Sequence, residues 1–253
     1  MSTQGKVDLD QTRGMLAQLG LEQAGSLLEQ LLTEAAKENL SLHRFLDRVL
    51  GSEYQRREER RITTSLRLSS LSQDMTLHSF DFAFQPGIDK RTIETLATCG
   101  YVRQQETVLL LGPPGVGKTH LATALGIRAV ENGFSVAYFR MDDLLFAMKK
   151  DADIPPTRLK GKKYMNAALL IIDELGFQVF TRQEAALFFR LVNYRYQRGS
   201  TIITTNKAVK DWPEVLVGDE VMATALLDRL LHHCHVLNIK GRSYRLKEVS
   251  SAP

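Results

Sequence analysis

Gly112-Pro113-Pro114-Gly115-Val116-Gly117-Lys118-Thr119 decides the fold of this 253-residue chain. The apolar run Val108-Leu109-Leu110-Leu111 precedes it, and the helix-like His120-Leu121-Ala122-Thr123-Ala124-Leu125 follows. Strand, glycine loop and helix, with GxxxxGK[ST] at the junction, form a pattern that cradles polyphosphates. A triphosphate needs many donors converging with no side chains in the way. Gly112, Gly115 and Gly117 let backbone N–H groups approach, and the helix start adds its positive dipole end. Lys118 supplies a cation for the outer phosphates and Thr119 a hydroxyl for Mg²⁺. Pro113, Pro114, Val116 and His120 complete the expected nucleotide-binding set. A chance glycine-rich turn would lack the strand and the helix, so the pattern implies a bound nucleoside triphosphate.

Further along, Ala167-Ala168-Leu169-Leu170-Ile171-Ile172-Asp173-Glu174 is a continuous apolar run ending in acids, which reads as a buried parallel strand. Asp173 at its carboxyl end is placed to hold the metal's water shell. Glu174 beside it is placed to polarise a water for attack on the γ-phosphate. Adjacent metal-holding and base-type carboxylates favour hydrolysis over transfer to a small acceptor. A third, β-branched strand, Ser200-Thr201-Ile202-Ile203-Thr204-Thr205, leads to Asn206, whose amide suits orienting the attacking water. Ala225-Leu226-Leu227-Asp228-Arg229-Leu230-Leu231 then reads as a helix. Its Arg229 is either half of a surface pair with Asp228 or a cation for charge developing on phosphate.

Composition bounds the class. A hydrophobic fraction of 43% with 25% charged residues is that of a soluble globular protein, with room for one α/β domain and a small extra module. No apolar stretch reaches membrane-spanning length, and the amino terminus lacks a signal-peptide core. The two cysteines, Cys99 and Cys234, have no paired spacing, which fits a reducing cytoplasm. The net charge of +4 leans mildly towards polyanionic partners.

The expected organisation is a helical amino-terminal domain over 1–68, a linker over 69–76 and an α/β domain over 77–253. The first part is free of proline and carries leucines at helical spacing, with breaks expected near Gly20 and Gly25. Ser41 offers an N-cap before a longer helix with Phe45, Val49, Leu50 and Tyr54. That helix runs into Arg56-Arg57-Glu58-Glu59-Arg60-Arg61, which is either a solvated face with internal pairing or a DNA or partner contact. Phe80, Phe82 and Phe84 read as core more readily than as a flank for adenine, and Trp212 as a packing anchor. Gly133 to Phe139 reads as a second strand. After it, Lys149, Lys150, Arg158, Lys160, Lys162 and Lys163 make the densest basic patch of the α/β part. A phosphate-backbone contact is the preferred reading there over a solvated loop, and such contacts bind without reading sequence.

The order of P-loop, LLIIDE, TTN and LDRL, closed by His235-Val236-Leu237-Asn238-Ile239-Lys240, resembles a P-loop AAA+ ATPase core with five parallel strands. More specifically, the chain resembles the IstB-type ATP-binding helper proteins of insertion sequences, in the initiator and helicase-loader clade. Asp173-Glu174-Leu175-Gly176-Phe177, the run from Ala225 to His233, and Ile239-Lys240-Gly241-Arg242-Ser243-Tyr244-Arg245-Leu246 carry that likeness, which covers nearly the whole chain. The helicase loader DnaC is similar in the core, more loosely.

The resemblance implies an α/β three-layer domain behind a small all-α domain. Lys118 and Thr119 would take phosphate and Mg²⁺, Asp173 and Glu174 would hold the metal and activate water, and Asn206 would act as sensor. Arg229 would act in trans as an arginine finger, in a site shared between subunits of a homo-oligomer. The segment from Lys149 to Lys163 would line a DNA path. Few residues follow the last strand, so no full C-terminal lid is expected, and Arg242 or Arg245 would substitute for a second sensor arginine. The implied function is ATP-dependent assembly on duplex DNA and recruitment or activation of the element's own transposase. The alternative is a DnaC-like helicase loader acting on single strands.

Overall fold

Five apolar segments become the strands of one sheet: β1 (Thr107–Leu111), β2 (Val136–Arg140), β3 (Leu169–Leu175), β4 (Ser200–Thr205) and β5 (Cys234–Asn238). Their order is β2-β3-β4-β1-β5, and every neighbouring pair is parallel. This computed structural model describes residues 3–246 apart from 155, 160, 217 and 218. Its backbone divides into two compact units, Met1–Thr64 and Ser65–Pro253.

In the first unit, helices α1 (Thr3–Gln18), α2 (Glu22–Lys37) and the start of α3 (Leu42–Ser69) surround a small core of Ala24, Leu31 and Val49. Ser41 Oγ accepts from the Arg44 N–H at 3.4 Å, the expected cap. One expectation fails. Gly20, at φ +71°, ends α1 in a left-handed conformation, but Gly25 lies buried inside α2. A single glycine costs about 1 kcal/mol in a helix interior, which a helix of several turns tolerates. A Cβ at Gly25 would sit 3.7 Å from the Leu16 side chain, so the small residue lies where α1 and α2 pack. The charge run on α3 is partly self-paired, Arg57 with Glu53 at 3.2 Å and Arg61 with Glu58 at 2.5 Å.

In the second unit, α4 (Lys90–Ala97) and one-turn α5 (Gly100–Arg103) lead into β1, and α6 (Lys118–Glu131) follows the glycine loop. The remaining helices are α7 (Met141–Lys150), the single turns α8 (Pro156–Leu159) and α9 (Lys163–Asn166), α10 (Arg182–Arg195), α11 (Trp212–Val215) and α12 (Glu220–Leu231). Strand β4 is buried along its whole length, and β3 everywhere except Glu174. Such runs form because helices cover both faces of a parallel sheet. Leu109, Leu170, Ile172 and Ile203 pack with Leu144, Phe188, Trp212 and Leu226 of α7, α10, α11 and α12, while α6 packs against β1, β2, β3 and β4. Trp212 is thus the anchor the sequence suggested.

Buried Arg195 fastens the sheet's amino-terminal end. Its guanidinium donates to the carbonyls of Met165, Ala167 and Ser200 at 3.0, 2.9 and 2.6 Å. Burial pushes its pKa down to about 10. Beyond β5, residues 239–246 cross back towards the glycine loop, so no lid domain stands over the sheet among the described residues. None of the described helices is long and apolar enough to cross a membrane.

Candidate nucleotide site

Parallel pairing brings the chemistry-bearing residues to one edge. Register sets Leu111 beside Thr205 and Asn238, and Arg140 beside Asp173, so the carboxyl ends of all five strands lie around the loop that follows β1. Gly117, at φ +96°, is the N-cap of α6, and a Cβ there would fall 2.6 Å from the Phe80 ring. Only glycine allows both that backbone and that approach.

The loop borders a cavity of about 310 Å³ lined by Met75, Ser79, Phe80, Asp81, Gln85, Tyr244 and Arg245 together with Gly115, Val116, Gly117, Lys118, Thr119 and His120. Lys118 Nζ donates to the Gly112 and Pro113 carbonyls at 2.7 and 2.8 Å, which leaves one of its three donors for an anion. Burial holds this ammonium below the ordinary lysine range; Asp173 and Glu174 oppose the shift and Arg245 adds to it. His120 Nε2 meets the Thr76 carbonyl at 2.8 Å, and its ring stands edge-on to Phe80 at 5.2 Å. Phe80 therefore faces the cavity, where the sequence favoured a core role. Phe84 packs on Tyr244 at 5.3 Å.

Asp173 is 2% exposed, and both of its carboxylate oxygens accept hydrogen bonds. Oδ1 accepts from Thr119 Oγ1 at 3.0 Å and from Thr204 Oγ1 at 2.5 Å, and Oδ2 accepts from the Tyr138 hydroxyl at 2.7 Å. Burial, then the bond to Asp173, pushes the Tyr138 hydroxyl far above its usual pKa, so it remains a donor. The Thr119 hydroxyl and the Asp173 carboxylate form a pair of hard oxygen donors. Mg²⁺ binds one or two protein oxygens and completes its shell with water and phosphate, so these residues fit it.

Glu174 interrupts the regular pairing of β3 with β4. Its φ is +64°, its N–H donates to Thr204 Oγ1 at 3.0 Å, and the register against β4 shifts between Ile172 and Leu175. A left-handed glutamate at such a bulge is a strained conformation, and here it re-aims the carboxylate away from the buried strand. Glu174 Oε2 accepts from Arg140 Nη2 at 2.5 Å. Asn206, exposed, directly follows β4 at the same edge.

Arg229 does not line this cavity. It stands half-buried on α12, donating to Asn193 Oδ1 at 3.0 Å and the Ala225 carbonyl at 2.7 Å, over the Phe189 ring at 5.4 Å. Of the basic segment, Lys149 pairs with Glu184 at 2.7 Å and Lys162 with Asp151 at 2.8 Å, while Lys163 Nζ donates to the Leu68 carbonyl at 3.0 Å. Lys150 and Arg158 are exposed, and Lys160 lies outside the described residues. Arg245 reaches the cavity, whereas Arg242 offers its backbone carbonyl to Gln85 Nε2 at 2.7 Å.

Sequence reasoning passed over Tyr138, Arg140, Thr204, Asn193 and Gln85. Tyr138 and Arg140 are two apart on β2 and hence share a face, so the polar alternation at that strand's end was the available signal. Nothing local marked Thr204 or Gln85.

Comparison with known proteins agrees with this architecture. The family described as IstB-like ATP binding protein matches residues 14–252. The ATP-binding protein of insertion sequence IS21 from Pseudomonas aeruginosa is 45% identical over 238 residues, 94% of this chain and 89% of that protein. Its counterpart from IS5376 of Geobacillus stearothermophilus is 38% identical over 214 residues, 85% of each chain. Among solved structures, the DnaC helicase loader shares 26% identity at a TM-score of 0.51, over 59% of this chain and 87% of that one. AMPPCP-bound DnaA from Aquifex aeolicus, at 20% identity and a TM-score of 0.53 over 72% of this chain and 55% of that one, shares the fold. With its P-loop, its five-stranded parallel sheet and its likeness to insertion-sequence proteins along nearly its whole length, this chain belongs to the IstB-like ATP-binding family of AAA+ proteins.

Proposed function

We propose that the protein is an ATP-hydrolysing switch for transposition. In its ATP-bound form it associates with copies of itself on duplex DNA and recruits or activates a transposase, and hydrolysis resets the assembly. The observation that carries the catalytic part is the cluster at the sheet's carboxyl edge: Lys118 and Thr119 at the start of α6, Asp173 bonded to Thr119, and Glu174 turned out beside it.

In this reading the loop N–H groups and Lys118 bind the phosphates, and Thr119 and Asp173 hold Mg²⁺, which neutralises phosphate charge when bound. Tyr138 and Thr204 orient the Asp173 carboxylate by donating to it. Once its carboxylate leaves Arg140, Glu174 takes the proton of a water that attacks the γ-phosphorus; the bond to the ADP oxygen breaks and ADP and phosphate depart. Asn206 orients that water, and Arg229 of one subunit stabilises the developing charge at its neighbour's nucleotide. Lys150 and Arg158 supply DNA phosphate contacts. The insertion-sequence relatives support transposition; the likeness to DnaC supports a second reading, helicase loading on single strands.

Equilibrium binding of labelled ATP to Lys118→Ala, against the unaltered protein, tests the nucleotide site. Loss of binding is expected, and tight binding by the variant would remove the P-loop assignment.

A further inference from the structure

Arg229 carries its charge unopposed. Neutral groups alone hold its guanidinium: Nε donates to Asn193 Oδ1 at 3.0 Å, Nη1 donates to the Ala225 carbonyl at 2.7 Å, and the group lies over the Phe189 ring at 5.4 Å. The surface pair with Asp228 that the sequence left open does not form, and no other acid among the described residues pairs with this arginine. Both N–H groups of Nη2 are without a partner among the described residues. Arg229 borders a small cavity of about 40 Å³ beside Thr107 and Thr201, at the amino-terminal ends of β1 and β4. Arg195 and His233 also line that cavity, and no carboxylate does.

One helix supplies both side chains that hold it. Phe189 and Asn193 are four apart on α10 and so share a face, and α10 packs on α12. Arginine is a long side chain with many rotamers, and two hydrogen bonds with a ring beneath the guanidinium select one setting of its plane. The choice of an amide is informative. An arginine whose task was to tie α10 to α12 would be served better by aspartate, which has nearly the same shape and makes a stronger, charge-assisted bond. Asn193 fixes the guanidinium and leaves its charge undiminished.

We propose that Asn193, aided by Phe189, is a positioning residue for hydrolysis: its neutral amide orients Arg229 and leaves Nη2, with the full positive charge, for the nucleotide of a neighbouring subunit. This rests on Arg229 acting in trans, as proposed above. A donor oriented before the reaction needs no rearrangement when charge develops on the phosphate, which is where such groups gain their effect. Asn193 touches neither nucleotide nor water in this account and acts only through Arg229.

Phosphate release across a range of ATP concentrations, with long duplex DNA present, tests the assignment on the unaltered protein, Asn193→Leu, Asn193→Asp, Arg229→Ala and the double variant Asn193→Leu/Arg229→Ala. Asn193→Leu should lower kcat by about tenfold to a hundredfold, the effect of a misplaced group, with KM for ATP within about threefold. Asn193→Asp keeps the bond and sets a negative charge against the guanidinium. It should lower kcat by at least about tenfold while melting no lower than the unaltered protein. A residue that only joined the two helices would leave kcat of Asn193→Asp unchanged. The double variant should be no slower than Arg229→Ala, because Asn193 has no route to the reaction except Arg229. Full kcat in Asn193→Asp, or losses that multiply in the double variant, overturns the assignment, and a slow Arg229→Ala then leaves the trans reading standing. An Arg229→Ala protein as fast as the unaltered one removes both. Asn193→Asp, close in shape to the native side chain, decides the matter even if Asn193→Leu fails to fold.

Discussion

Arg140 Nη2 lies 2.5 Å from Glu174 Oε2, so a cation on β2 holds the carboxylate of the one residue of β3 that is not buried. Both side chains are substantially exposed, at 59% and 38%. Water and salt screen an exposed pair of this kind, so the contact is easily exchanged for another.

If Glu174 is the base, the ion pair holds its carboxylate out of the water's path. Arg140→Ala should therefore raise ATP turnover in the absence of DNA by about threefold to tenfold and shrink any stimulation by DNA. Steady-state phosphate release checks this. A fall in turnover would mean that Arg140 acts on the nucleotide rather than on Glu174.

Arg229 is held by Asn193 and stacked over Phe189, away from its own chain's cavity. Arg229→Ala should bind ATP normally and hydrolyse it at least about a hundredfold more slowly, as arginine fingers do. Mixing it with Lys118→Ala subunits should restore part of the turnover, because each variant supplies what its neighbour lacks. A mixture as inactive as its components would place Arg229's role within one chain.

The basic segment divides into paired and exposed cations. Lys150→Ala and Arg158→Ala should each lower the slope of log affinity against log salt for duplex DNA by about one, the contribution of one phosphate contact. Lys149→Ala should leave that slope alone and lower the melting temperature instead, since it unpairs Glu184 of the α10 capping box. Equal slopes for all three variants and the unaltered protein would remove the segment from the DNA interface.

The sequence exposed those parts of the fold whose causes are local. The glycine loop, the long apolar run before Asp173 and the β-branched run before Asn206 each announce an element by period or composition. Parallel pairing alone then brings their ends together. What it hid depends on contacts between distant segments. Thr204 reads as one more β-branched residue until β4 pairs with β3 and its hydroxyl meets Asp173. Glu184 and Lys149 are far apart in the chain, so counting charges from Asp142 to Met165 overstated the free positive charge. The break expected at Gly25 assumed that glycine interrupts a helix, whereas this one is buried within α2 beside Leu16. Gln85 carried no signal at all before Gly241 and Arg242 folded back on it.

Sedimentation of the Glu174→Gln protein with long duplex or single-stranded DNA, in ATP or ADP and at two salt concentrations, tests the switch most directly. The account predicts large assemblies on duplex DNA with ATP, absent with ADP and weakened by salt. Absence of DNA binding with either nucleotide, or a clear preference for single strands, would contradict it.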